Sequence, residues 1–116
     1  MATEFDARTT GHAGGDARAP IVVRVAGEID IQHAGELESL ITAALADAGP
    51  ATEIVVDLSN SSFCDSSGLN ALLRAREAAS RSGRVLSLAA PSHQMLRLLD
   101  LTGTAPLFPL RPAVVG

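Results

Sequence analysis

Several residue types that support particular functions are scarce or absent in this sequence of 116 residues. It has no Tyr or Trp and only three Phe, which argues against nucleic-acid modules that stack bases on aromatic rings. All nine basic residues are Arg, so the chain cannot supply the lysine of an ATP-binding phosphate loop. Cys64 is the only cysteine, which excludes an internal disulfide, and three scattered histidines add no zinc-site spacing. We therefore expect neither a metal nor a cofactor.

Long apolar runs are also missing. No run approaches the roughly 18 apolar residues of a membrane-spanning helix. The first twenty residues contain Glu4, Asp6 and Asp16, and they lack the apolar centre of a signal peptide. The sequence therefore predicts a cytoplasmic protein that does not bind a membrane.

The length and the composition predict one globular domain, and its uneven charge has two possible explanations. Apolar residues make up 47% of the chain and charged residues 19%, as in ordinary globular domains. The net charge of −4 argues against direct nucleic-acid binding, but residues 1–70 carry −8 and residues 71–116 carry +4. This asymmetry favours oriented docking on a charged protein. Solvated helix faces would produce the same asymmetry without any partner.

Apolar patterns predict alternating strands and helices. Short β-branched runs predict strands at residues 21–26, 53–58 and 84–89, with weaker strands at residues 2–8 and 107–108. Helical spacing predicts helices over residues 37–48, over residues 67–82 and after a Ser92 cap, the last with Met95, Leu96 and Leu99 facing inward.

The resulting order, β-β-α-β-α-β-α-β, predicts an α/β fold in a single domain. Its sheet should be mixed but mostly parallel, with four or five strands and an antiparallel N-terminal edge. We expect residues 1–20 to form a weak edge strand and a flexible loop. Residues 21–110 should form the domain, and residues 111–116 a C-terminal tail.

The most informative stretch is residues 53–73. Apolar strand residues are followed by small polar residues at 59–62, which should end the strand, and then by Asp65-Ser66-Ser67-Gly68-Leu69. This pattern brings a serine to a helix N-terminus at the carboxyl edge of the sheet, where ligands usually bind. A phosphate on Ser66 or Ser67 would face unpaired N–H groups and the positive end of the helix dipole.

A serine hydrolase is the enzymatic alternative. Ser66 has the strand-to-helix setting of a nucleophile elbow, but its flanking sequence is C-D-S-S-G and not G-x-S-x-G. His33 and His93 begin two other helices, and nothing in the sequence directs either of them to Ser66. We therefore expect no catalytic residue. Taken singly, Asp65 as a helix cap and Cys64 as a small buried hydrophobe have sufficient structural explanations.

Taken together, these residues resemble a family signature. Asp65-Ser66-Ser67-Gly68-Leu69 after V-V-D-L-x(4)-F is similar to the signature of the STAS domain family, specifically of bacterial anti-sigma factor antagonists. The turn Gly27-Glu28-Ile29-Asp30 resembles the family's G-E-[LI]-D marker, and the stretch from Leu98 to Phe108 resembles its last helix and strand. The resemblance covers roughly residues 21–110. It departs from the family in the long loop before Ile21 and in Cys64.

The resemblance implies a phosphoprotein that changes partners to regulate transcription, for example in a stress response. The unmodified antagonist would bind an anti-sigma factor that is also a serine kinase, and would thereby release a sigma factor. Phosphorylation of Ser66, with Ser67 as the second choice, would break the complex, and a metal-dependent serine phosphatase would restore it. The implied docking residues are Asp30, Asp65, Ser66, Ser67, Gly68 and Leu69.

Two alternatives stay open at the level of the sequence. The chain could be a STAS interaction module of another signalling scaffold or of a transport-related system. The oligomeric state is open between a monomer and a weak dimer.

Overall fold

The computed structural model describes residues 4–12 and 16–114. Its elements follow the predicted order: β1 Asp6–His12, β2 Ile21–Ile29, α1 Ala34–Ala46, β3 Glu53–Cys64, α2 Ser66–Arg81, β4 Val85–Ala89, α3 His93–Thr102 and β5 Leu110–Arg111. A single 3₁₀ turn at Ala105–Leu107 precedes β5.

The five strands form one sheet in the spatial order β1-β2-β3-β4-β5. The β1 strand is antiparallel to β2, and all other neighbours are parallel. Each parallel pair is connected through a helix, so the parallel strands end at the same edge of the sheet. The predicted α/β fold, with its mixed sheet and antiparallel N-terminal edge, is confirmed.

The core lies between one face of the sheet and the helices, and it is mainly aliphatic, as the scarcity of aromatic residues required. Side chains alternate along β3, so that Ile54 and Val56 face the helices and are 0% exposed. Leu37 and Ile41 of α1 and Leu72 of α2 pack in the same cluster. The part of α2 that follows its first turn is therefore fixed by packing against the core.

The β3 strand is longer than the sequence predicted. We expected the polar residues after Leu58 to end it, yet the strand continues to Cys64. It continues because β2 runs beside it, with Ala26 paired to Asn60 and Ile29 paired to Cys64. Ladder hydrogen bonds to a neighbouring strand outweigh the low strand propensity of serine and asparagine.

The predicted turn at residues 27–30 is also wrong in its position. Gly27 lies inside β2 with a φ of 87°, and the pairing register shifts between Gly27 and Glu28. Gly27 pairs with Ser61 and Glu28 with Phe63, so β3 has one extra residue, Ser62, and the irregularity is a β-bulge of β3 beside Gly27. The chain turns later, where the Asp30 carbonyl accepts hydrogen bonds from the N–H groups of His33 (3.0 Å) and Ala34 (2.8 Å).

The last strand lies after Pro109 and not at residues 107–108. The N–H of Leu88 donates to the Pro109 carbonyl at 2.9 Å, which aligns the following residues with β4. Phe108 turns into the core and is 3% exposed. Arg111, expected in the tail, is therefore part of β5.

Two smaller expectations also need correction. Leu96 of α3 is 37% exposed, because the helix turns Met95 and Leu99 into the core instead. The first strand spans Asp6–His12, so residues 9–12 pair with β2 and do not form a loop. Residues 1–3 and 13–15 of the predicted N-terminal strand and loop, and residues 115–116 of the predicted tail, lie outside the described residues. In the part of the chain that the structure describes, no helix is both long and apolar enough to cross a membrane.

Candidate functional site

The site is built on the first turn of α2. Ser66 is the first residue of the helix and its side chain is exposed, whereas Ser67 is half-buried. Asp65 is the N-cap, and its carboxylate accepts a hydrogen bond from the Gly68 N–H at 3.0 Å. The Asp65 carbonyl accepts from the Leu69 N–H at 2.9 Å. The cap therefore fixes the start of the helix and presents the Ser66 hydroxyl to solvent.

A backbone contact brings Asp30 to the same edge of the sheet. The Asp65 N–H donates to the Ile29 carbonyl at 3.1 Å, and Asp30 follows Ile29 directly in the chain. The Asp30 side chain remains 26% exposed. The structure thus brings the chain at Asp30 and the Asp65 backbone to one edge of the sheet, and Ser66 follows Asp65 directly.

Gly68 allows α2 to begin so close to β2. An added Cβ would lie 2.5 Å from the Ile29 carbonyl oxygen, 2.7 Å from Ile29 Cγ2 and 2.9 Å from Cys64 Sγ. All three distances are shorter than real Cβ contacts, so only glycine fits. Leu69 follows with 3% exposure and packs into the core.

Sequence reasoning missed Gln94 in the first turn of α3. The Cys64 N–H donates to Gln94 Oε1 at 2.9 Å, and Gln94 Nε2 donates to the Cys64 carbonyl at 2.6 Å. Both backbone groups of Cys64 are thus held by one side-chain amide, directly before the cap of α2. No local pattern could have found this contact, because the two residues meet only through the tertiary fold.

His33 was not connected to the site by the sequence either. Its Nδ1 lies 2.8 Å from Asp30 Oδ1 and 3.2 Å from the Glu28 carbonyl oxygen. Since both neighbours accept hydrogen bonds, Nδ1 carries the hydrogen. The His33 ring stacks on Phe5, with ring centroids 4.3 Å apart. His33 thereby holds the Asp30 carboxylate in place.

Two exposed apolar side chains accompany the acidic residues. Ile31, next to Asp30, is 77% exposed, and Phe63, next to Cys64, is 41% exposed. Large apolar side chains beside polar groups are typical of protein-binding surfaces. The sequence offered Phe63 only as part of a signature, with no role of its own.

Cys64 behaves as a small buried hydrophobe, as expected from the sequence. It is 1% exposed and has no disulfide partner. Burial first, and the negative charge of Asp65 second, raise the pKa of its thiol from 9.0 to about 12. Among the described residues, no group of three or more His, Cys, Asp or Glu side chains could hold a metal ion.

We expect the Cys64 thiol of the folded protein to resist a disulfide reagent such as DTNB at pH 8. A pKa of about 12 instead of 9.0 lowers the thiolate fraction roughly 1000-fold, and burial blocks access as well. Labelling should become complete in guanidinium chloride. Equal labelling rates in the folded and the unfolded protein would show that Cys64 is neither buried nor suppressed in its ionisation.

Comparisons with known proteins agree with this geometry. The family model described as "Mlab, STAS domain" matches residues 13–109. The anti-sigma F factor antagonist of Lysinibacillus sphaericus is 34% identical over 90 residues, which are 77% of this chain and 75% of that protein. The anti-sigma-B factor antagonist of Staphylococcus aureus is 32% identical over 81 residues, 70% of this chain and 73% of that protein.

A solved structure gives the same result in three dimensions. An anti-sigma factor antagonist from Mycobacterium paratuberculosis, whose crystal structure is known, is 30% identical in sequence. Its structure superposes on this one with a TM-score of 0.79, and the alignment covers 98% of this chain and 92% of that chain. The family model matches most of the chain, and the relatives exceed 30% identity over more than two thirds of their lengths. The chain therefore belongs to the STAS domain family, together with these anti-sigma factor antagonists.

Proposed function

We propose that this protein is an anti-sigma factor antagonist controlled by phosphorylation. In its unmodified form it binds an anti-sigma factor that is also a serine kinase, and a sigma factor is released. The observation that carries the proposal is the exposed Ser66 at the first position of a capped helix, inside the family signature. The names of the relatives support the same role.

A phosphate on Ser66 is compatible with the fold of this chain. It would add about −1.5 to −2 charge at pH 7. The N-terminal end of α2 would offset that charge by about 0.3–1 kcal/mol, and Ser66 makes no contribution to the core. The phosphorylated protein therefore keeps its fold, and the switch acts through local electrostatics.

The same phosphate would be poorly tolerated across an interface. Asp30 and Asp65 already make the surface around Ser66 acidic, so an added phosphate would meet like charges there, and the repulsion would grow when a partner displaces the screening water. Docking would also cover Ile31 and Phe63, which excludes the water that solvates an added phosphate. Ser67 would lie within this docking surface as the second choice of acceptor.

Gly68 and Leu69 would take part in docking indirectly. Both residues are buried, so a partner that contacts the helix start would touch neither Gly68 nor the Leu69 side chain. Gly68 sets how closely α2 approaches β2, and Leu69 anchors the first turn in the core. Their role would be to fix the position of Ser66.

The proposal gives this chain a binding role and no catalytic residue. The chemistry would belong to its partners, a serine kinase that adds the phosphate and a metal-dependent serine phosphatase that removes it. The circuit would operate in the cytoplasm, where sigma factors act, with the protein as a monomer or a weak dimer. It would need no cofactor of its own.

The test is an intact-mass measurement after incubation with ATP and candidate anti-sigma kinases from the same genome. We expect one added phosphate on the wild type and on Ser67→Ala, and none on Ser66→Ala. The phosphorylated wild type should also lose its complex with the kinase in size-exclusion chromatography. Addition of a phosphate to Ser66→Ala would show that the acceptor is another residue. No phosphate with any kinase would favour an interaction module of another scaffold or of a transport-related system.

A further inference from the structure

The end of β3 is held from two sides by different elements. The β4 strand pairs with β3 only as far as Asp57, opposite Ala89, and beyond that point none of the described residues forms a strand beside β3 on the β4 side. Gln94 of α3 fills this position at Cys64, with two hydrogen bonds of 2.9 and 2.6 Å. The N–H and the carbonyl of one strand residue point to the same side, so a single amide can pair with both.

The next peptide is held from the other side. The Asp65 N–H points towards β2 and donates to the Ile29 carbonyl at 3.1 Å. The peptide between Cys64 and Asp65 is therefore fixed by Gln94 at its carbonyl and by Ile29 at its N–H. Its orientation sets the direction in which Asp65 caps α2, and hence where Ser66 lies.

We infer that Gln94 is a positioning residue for the phosphorylation of Ser66. Its amide clamps the Cys64 backbone and so fixes the Ser66 hydroxyl in the orientation that a kinase requires. This role rests on the function proposed above. It adds to that function a residue of α3, Gln94, that is outside the family signature and that acts on the acceptor serine.

The clamp is local, so its loss should disturb the site more than the fold. The rest of α2 is anchored through buried residues such as Leu72 and Ala75, and α3 through Met95 and Leu99. None of these anchors depends on the Gln94 side chain. If Gln94 had only a structural role, its replacement would instead lower the free energy of unfolding and leave the geometry at Ser66 unchanged.

The chain offers a matched control in the same turn of α3. Ser92 caps this helix, and its Oγ accepts a hydrogen bond from the Met95 N–H at 3.1 Å. Ser92→Ala removes a hydrogen bond from the same helix start but none from Cys64. Gln94→Glu adds a second comparison, because it keeps the shape of the side chain but places a carboxylate oxygen against the Cys64 carbonyl.

The first measurement is steady-state phosphorylation of Ser66 by the kinase that modifies the wild type. We expect Gln94→Ala and Gln94→Glu to lower kcat ~10-fold, because a reacting group that is displaced even slightly reacts more slowly. KM should stay within about two-fold, because the docking surface is retained. Ser92→Ala should leave kcat and KM near the wild-type values. An equal loss of kcat in Ser92→Ala would overturn the inference.

Amide hydrogen exchange provides a readout that needs no kinase. In Gln94→Ala, the N–H groups of Cys64, Gly68 and Leu69 should exchange ~10-fold faster than in Ser92→Ala, while the middle of α2 stays unchanged. Unchanged exchange at Gly68 and Leu69 would overturn the positioning role. A wild type that no kinase phosphorylates would refute the proposed function, and exchange alone would then decide whether Gln94 orders the helix start.

Discussion

Replacing Gly68 by alanine should lower the free energy of unfolding by ~2–3 kcal/mol, the upper part of the range of about 1–3 kcal/mol found when atoms are forced into a well-packed region. The new Cβ would lie 2.5 Å from a backbone oxygen of Ile29, and backbone cannot move aside as the end of a flexible side chain can. Either α2 shifts away from β2 or the end of β2 is displaced. Both movements disturb the cap at Asp65.

Gly35 supplies the matched control for this substitution. It also lies in the first turn of a helix, α1, but nothing lies within 4 Å of an added Cβ. Gly35→Ala should therefore raise the free energy of unfolding by about 0.5–1 kcal/mol, because alanine is the better helix former. Urea unfolding of both variants measures the difference. Equal effects of the two substitutions would mean that the close approach at Gly68 does not exist in solution.

The two glycine substitutions should also differ in their effect on phosphorylation. Because Gly68 is two residues from Ser66 and its N–H is bound by the Asp65 carboxylate, a shifted helix start moves the acceptor. Gly68→Ala should therefore slow the phosphorylation of Ser66 even at temperatures where the variant is fully folded. Gly35→Ala should be phosphorylated at the wild-type rate.

The sequence predicted the secondary structure around Ser66 where its signals are local. A β-branched strand, a capping aspartate and a serine at a helix start are all readable within residues 53–73, and the structure places them as expected. The structure also brings Ile29, and with it the chain at Asp30, to the Asp65 backbone, a proximity that the sequence could suggest only through the family resemblance. The burial of Cys64 followed from the general tendency of a free cysteine to behave as a small hydrophobe.

The sequence failed where the structure depends on distant residues. Residues 59–62 are poor strand formers, and only the neighbouring β2 strand makes them extend to Cys64. Gln94 has no distinguishing neighbours along the chain, and its role arises because α3 packs against the end of β3. The last strand was predicted at residues 107–108, between Pro106 and Pro109, but Phe108 packs in the core and the strand forms only after Pro109.

Asp57 belongs to the V-V-D-L part of the signature, and the structure gives it a structural explanation. It lies on the face of the sheet away from the main core cluster and is 3% exposed. Its Oδ2 is 2.6 Å from Arg24 Nη1, and its Oδ1 accepts from the Ser59 N–H at 3.0 Å. Arg24 and Asp57 are direct neighbours in the register of β2 and β3. The pair therefore joins the two strands that lead to the site.

Arg24→Met should lower the free energy of unfolding by about 3 kcal/mol, because it leaves the carboxylate of Asp57 buried without its cation. Asp57→Leu should cost less, since the Arg24 side chain is 33% exposed and can be solvated by water. The double variant Arg24→Met, Asp57→Leu should recover most of the loss, because an apolar pair has no charge to desolvate. Chemical denaturation of the four proteins at pH 7 gives the coupling between the two side chains.

The order of these losses separates two explanations of the signature aspartate. If Asp57 serves the sheet, Arg24→Met is the most destabilised variant, the double variant is close to the wild type, and the folded forms of all variants accept phosphate on Ser66 equally well. If Asp57 instead took part in docking, the double variant would fold but would not bind the kinase. The structure favours the first outcome, because a carboxylate that is 3% exposed cannot reach a partner, whereas the exposed Ser66 can.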